Sequence, residues 1–181
     1  MNGDMPLQCS RMVSAAMDYC DLIDDFGVPG RDAQWVARMG KLLPRLHVAV
    51  IALSADVEDQ QYYCFPDDDQ RCELYLRLLH ALQDDDALWE KHGDSEAKRM
   101  QRQRLCDRLA DDLTDVYFDL KRGLELVEHD VQRAVCAWRN SFYLHWGRHL
   151  LDAECWLAAV GAGNVPPPLP EWNPVAMASQ A

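Results

Sequence analysis

WRNSFYLHWGRHLLDAECW, Trp138 to Trp156, is the stretch whose reading decides the fold. Helical residues turn about 100° each, so positions three and four apart share a face. Val131, Val135, Trp138, Phe142, His145, His149, Ala153, Trp156 and Val160 step by three or four throughout. On a helical wheel they occupy a sector of about 80°. His145 and His149 stand near the centre of that sector, one turn apart. Arg139, Asn140, Arg148 and Glu154 lie off it or at its edges. Asp130 is placed to cap the helix, because its carboxylate can accept from the free amides of the first turn. Gly161 and Gly163, followed by prolines, end it. The spacing predicts one helix over 130–160, with Trp138, Phe142, Trp146 and Trp156 as an aromatic cluster.

The rod before it is the longest in the chain. Ser95, with Glu96 beside it, opens a predicted helix over 95–128 whose apolar stripe is Leu105, Leu109, Leu113, Val116, Leu120, Leu124 and Val127. Asp112, Asp115 and Asp119 run down one flank. His129 and Asp130 leave room only for a tight reversal, so the two rods are expected to be antiparallel neighbours. Counting about 1.5 Å of rise per residue from that reversal sets His145 opposite position 113 and His149 opposite position 109. Asp112 is then in reach of the histidines. Asp115 and Asp119 fall nearer Phe142 and Trp138, and Asp119 can pair with Arg139 or Lys121 instead.

Two histidines at i and i+4 on one helix face can chelate a single metal ion. Asp152, three residues after His149, can be a third ligand or a carboxylate that orients an imidazole. The same residues also suit acid–base chemistry, or a polar core in which each imidazole is satisfied by a carboxylate across the hairpin. That last reading is the expectation, with Asp112 as the partner that would raise a histidine pKa. The candidate site is therefore His145, His149, Asp152, Asp112 and Asp119. The chain contains neither an HExxH motif nor the Glu-x-x-His pair of di-iron bundles.

Towards the N-terminus the same periodicity predicts a helix over 10–26, with Met12, Ala16, Tyr19, Ile23 and Phe26 inward. A second, over 32–54, is capped by Asp32. Pro44 lies within it and should kink or split it. The half after Pro44, RLHVAVIAL, is apolar on nearly all sides and is expected to be the most buried helix, with His47 structural. Residues 55–70 read as a connection, and a third helix runs over 70–83. A short turn around Leu88 and Trp89 follows. The Asp triplets at 67–69 and 84–86 lack the spaced order of a calcium loop and read as solvated helix ends. KRMQRQR, Lys98 to Arg104, reads as the solvent face of a helix start. After Val160 the sequence loses its period and is rich in proline, which suits an extended or disordered tail over 161–181.

All this describes an all-α, single-domain antiparallel bundle of about five main helices over 8–160. The 181 residues are 49% hydrophobic and 27% charged, enough for one ordinary core. Thirty acidic against eighteen basic residues give a net charge of −12, which repels nucleic acid and anionic membranes. No apolar run is long enough to span a bilayer, and no secretory signal is visible. Seven cysteines without a CxxC pair suit reduced thiols in a cytoplasmic protein; Cys64 and Cys72 flank a loop.

DDLTDVYFDLKRGL (Asp111 to Leu124) and WRNSFYLHWGRHLLDA (Trp138 to Ala153), with their D-x-Y-x-D-L-K and H-W-G-x-H cores, resemble the signature of an uncharacterised bacterial family, DUF5063. DYCDLID and LLPRLHVAVIAL are similar to it as well, so the likeness reaches to about Trp156. The resemblance implies a bacterial, helical, soluble protein and carries no chemistry. No phosphate loop or nucleophile motif occurs. The function expected is a helical interaction module without catalysis, binding a protein partner or a second copy of itself and needing no cofactor. The alternative is a metal-dependent or acid–base enzyme, with a divalent ion at His145 and His149.

Overall fold

Three tryptophan and tyrosine side chains stitch the helices together, because each buries an apolar ring while its polar atom needs a partner. Tyr19 donates to the Leu113 carbonyl at 2.9 Å, Trp35 to Leu22 at 3.2 Å and Trp138 to Leu120 at 3.2 Å. The elements they join are seen in a computed structural model that describes residues 7–26, 34–54, 68–84, 89 and 95–161. They are α1 (Leu7–Asp25), α2 (Trp35–Ile51), α3 (Asp68–Asp84), α4 (Glu96–Val127) and α5 (Val131–Ser141). A π-helical turn (Phe142–Trp146) leads from α5 into α6 (Gly147–Gly161). The described residues form an all-α bundle of five rods, the last made of α5, the π turn and α6. No strand occurs among the described residues.

The central rod is α4. It packs against α1, α3, α5 and α6, while α2 closes the far side by packing on α1 and α6. Every residue from Asp112 to Tyr117 is buried, so this stretch is wrapped on all sides. The sequence pattern had given that place to the second half of α2. There, however, Val48 is 71% exposed and Ile51 57% exposed, because among the described residues α2 is an outer rod with neighbours on one side only. Pro44 sits inside α2 without splitting it. Its side chain is exposed.

Helix ends follow local chemistry. Asp130 accepts from the Arg133 amide at 3.0 Å and Ser95 from Lys98 at 3.4 Å. At the start of α2 the cap position is Gln34, whose side chain makes no cap bond. The C-terminal carbonyls of α1 are taken by a side chain from another helix: Arg77 on α3 donates to Phe26 at 2.6 Å and to Ile23 at 3.2 Å. Trp89 is buried and donates to Leu82 at 2.7 Å, with the Arg102 guanidinium 5.1 Å from its ring. The proposed cap Asp32, the Cys64 loop, most of the 84–86 triplet and the tail beyond Gly161 lie outside the described residues.

Gly123 fixes the approach of α4 to α5. A side-chain carbon at this position would fall inside the Trp138 ring, which lies directly on the α4 backbone and is fully buried. Gly40, by contrast, faces open space. Gly123→Ala is expected to cost about 2–3 kcal/mol by overpacking. Gly40→Ala is expected to stabilise α2 by about 0.5–1 kcal/mol through helix propensity alone. Urea denaturation of the two variants checks the pair, and the order of their midpoints is the decisive result.

Candidate functional site

Four carboxylates of α4 face the α3 and α6 side: Asp111, Asp112, Asp115 and Asp119. Residues 111, 115 and 119 recur every four positions and so form one row, with Asp112 beside it. Burial of such groups is tolerated only with partners. Asp112 and Asp115 are 7% and 9% exposed, and both have them.

The partners come from the last rod and from α3. His145 Nδ1 lies 2.7 Å from Asp119 Oδ2, and His149 Nδ1 lies 2.8 Å from Asp112 Oδ1. The other nitrogen of each ring turns to a third carboxylate. His149 Nε2 is 3.4 Å and His145 Nε2 3.9 Å from Asp115 Oδ2. The two rings sit edge to face with centroids 5.1 Å apart. The remaining oxygen of Asp115 is held from α3, where Arg71 Nε donates to it at 2.8 Å and Arg71 Nη2 donates to Asp111 at 2.7 Å. Asp115 Oδ2 and the two histidines therefore converge, with one donor atom from each lying within 4.8 Å of the others.

The π turn decides how the histidines present themselves. It takes one more residue per turn than an α-helix and is a frequent feature of functional sites. The apolar contact continues through Trp146, Leu150, Ala153 and Leu157, all buried, so the histidines stand at the edge of the buried face. Their side chains retain 32% (His145) and 22% (His149) of their exposure. The central position expected from the regular wheel is thus corrected: an added residue changes the phase of everything after it. The aromatic residues serve as anchors around this turn. Phe142 packs edge-on against Trp146, and Trp146 donates to Ser141 Oγ at 2.9 Å; Trp156 is buried further along α6.

The register across the hairpin also differs from a count of backbone rise. Asp119, not position 113, meets His145, and Asp115 Oδ2 lies near Nε2 of both histidines. Side chains lean towards their own helix N-terminus. In antiparallel rods the lean of His145 and that of Asp119 point towards each other along the axis, so residues well apart in height meet. Asp112 does reach His149. Asp152 pairs with Arg148 at 3.7 Å, and its charge adds to those acting on Asp112. Asp115 and Arg71 complete the site although the sequence pattern did not select them. Asp115 carried a usable signal, being three residues from Asp112 and four from Asp119. Arg71 is forty residues from Asp111, and no local pattern points to it. His47 lies 3.6 Å from Glu154 on the opposite side of α6, against Phe142.

The cluster favours positive charge. Burial pushes the Asp112 carboxyl up to about 6, against the pull of the hydrogen bond and charge of His149. At His149 burial is the largest influence and acts downward. The hydrogen bond and charge of Asp112, joined by the charges of Asp115 and Asp111, outweigh it, and the net shift is upward.

A family profile described as a domain of unknown function, DUF5063, matches residues 4–162. The crystal structure of protein BF1032 from Bacteroides fragilis is similar in fold, with a TM-score of 0.63 at 18% identity, covering 91% of this chain and 98% of that one. No curated protein matches.

In protein kept metal-free by a chelator, Asp112→Ala and His149→Ala are each expected to lower stability by about 1–3 kcal/mol. The double variant should lose less than their sum by about 1 kcal/mol. Urea unfolding of the four proteins measures this, and strict additivity would mean that the contact contributes nothing.

Proposed function

The chain belongs to the DUF5063 family, and we propose that in this member the face between α4 and α6 binds one divalent transition-metal ion and presents it to solvent. His145 Nε2, His149 Nε2 and Asp115 Oδ2 are the ligands. The observation that carries the reading is the direction of the imidazoles. Each Nδ1 is occupied by a carboxylate, so in the neutral ring the proton sits there and Nε2 holds a lone pair. Both Nε2 atoms lie near the same carboxylate oxygen, Asp115 Oδ2, at 3.4 and 3.9 Å. These separations exceed the roughly 2.7–3.2 Å of a hydrogen bond. The shorter one suits donors around a common ion, since bonds of about 2.0–2.1 Å in tetrahedral geometry set ligands about 3.4 Å apart, and the longer one is wider than that.

Histidines whose second nitrogen is held by a carboxylate are the usual form of metal-ligating imidazole, since the outer contact fixes the tautomer and raises ring basicity. Asp119 and Asp112 supply that contact here. Among the described residues this is the one grouping of three such donors that converges. Three protein ligands with a fourth position open towards water are the pattern of catalytic rather than structural zinc. Bound there, the metal would acidify a water molecule or polarise a carbonyl. We accordingly read the protein as a metal-dependent enzyme of hydrolytic type.

An interaction module without catalysis is the second reading, supported by the exposure of Val48, Ile51, Tyr143, Leu144 and Leu151. The net charge of −12 speaks against nucleic acid or anionic lipid as partner in either case. Free thiols at the described cysteines suit a reducing, cytoplasmic setting.

Protein purified without a histidine tag is expected to carry or take up about one equivalent of zinc. His145→Ala with His149→Ala should abolish this while the helical circular dichroism persists. Wild-type protein that binds no zinc, manganese or iron by plasma emission and by titration would leave the interaction module as the reading.

A further inference from the structure

Arg71 stands in the first turn of α3 and reaches two carboxylates that lie one turn apart on α4. It uses different edges for the two: Nε meets Asp115 Oδ1 at 2.8 Å, and Nη2 meets Asp111 Oδ1 at 2.7 Å. A planar guanidinium held at two points cannot swivel. Asp115 is nearly buried, with 11% of its side chain exposed, so its oxygens have few other partners. One oxygen is therefore committed to α3 and one is left for the histidines.

The difference matters for metal choice. A carboxylate offering one oxygen beside two imidazoles makes a three-donor set, which one water completes to four. A carboxylate free to offer both oxygens raises the coordination number and suits larger ions that accept five or six ligands. We infer that Arg71 is a specificity-determining positioning residue of this site: by holding Asp115 Oδ1 it keeps the carboxylate monodentate and selects a small four-coordinate ion such as Zn²⁺ over Mn²⁺. This inference rests on the metal reading given above.

The position of α3 does not depend on Arg71 alone. One turn further along, the Tyr75 hydroxyl donates to Asp107, one turn back along α4, so the two helices are pinned in antiparallel register by a second contact. Arg77 fastens α3 to the end of α1. Removal of the Arg71 side chain thus frees Asp115 Oδ1 while other contacts keep α3 docked. Lysine keeps the positive charge but is a single point donor and cannot hold both carboxylates at fixed angles.

The test compares wild type with Arg71→Lys, Arg71→Met and Tyr75→Phe, using competition with a chromogenic chelator to obtain affinities for Zn²⁺ and Mn²⁺. Cobalt substitution provides a spectroscopic readout, since four-coordinate Co²⁺ absorbs far more strongly in the visible than six-coordinate Co²⁺. In both Arg71 variants the ratio of zinc to manganese affinity should fall about tenfold or more, and the cobalt band should weaken. Tyr75→Phe, which loosens α3 without touching Asp115, should leave both unchanged. The role of Arg71 is overturned if the ratio stays within about threefold of wild type in both Arg71 variants, or if Tyr75→Phe shifts it equally. Wild-type protein that takes up neither zinc nor cobalt overturns the site itself, and that result is visible before any variant is made.

Discussion

Charge cannot be left unpaired inside a protein, and α4 carries carboxylates where it is most enclosed. Taking an ionised carboxyl from water costs several kcal/mol even after relaxation, more than a bundle of this size can leave uncompensated. Asp112 and Asp115 are therefore constraints on everything around them. His149 must lie over Asp112, Arg71 must reach Asp115 from α3, and the last rod must approach α4 closely enough to allow both. Gly123 makes that approach possible by letting the Trp138 ring rest on the α4 backbone. Packing and polar pairing are thus one requirement, met by the same pair of helices.

A chain that wanted only a stable core would do better with apolar residues at 112 and 115, since replacing buried ion pairs by well-packed hydrophobic side chains is often neutral or stabilising. The polar cluster has three cationic or ionisable partners for four carboxylates. It opens to solvent at the histidines and closes towards the core at Asp115. That gradient from wet to dry suits a site that admits a small ligand at one end and holds its donors rigid at the other. The likeness to the Bacteroides fragilis protein at 18% identity shows the fold alone; the reasons for the cluster lie in this chain's own geometry.

The sequence revealed the rods well and the site in part. Apolar steps of three and four, the caps at Ser95 and Asp130, and the two-residue reversal were enough for the number of helices and for the pairing of α4 with the last rod. The contact between Asp112 and His149 was legible for the same reason. Three things were not. A π turn has no propensity signature that distinguishes FYLHW from α-helix, so the phase of the last rod was read as regular. An apolar run such as RLHVAVIAL reports what a helix could bury but not how many neighbours it will have, and α2 proved to be an outer rod. Arg71 belongs to the site through a helix–helix contact that exists only once three rods are assembled.

The π turn has a consequence for how the last rod can vary. Trp138 before it and the stripe of Trp146, Leu150, Ala153 and Leu157 after it both meet the core, yet a strict α-helical pitch would not bring both round to the same side. The surplus residue acts as a phase corrector between two segments that are each locked in place. Tyr143 and Leu144, both exposed, are the positions where that slack is stored. Shortening the rod there by one residue would relax the helix to its preferred pitch; with Trp138 held against α4, α6 would then rotate and carry His149 away from Asp112. Shortening it at the Gly161 end would leave the imidazoles where they are.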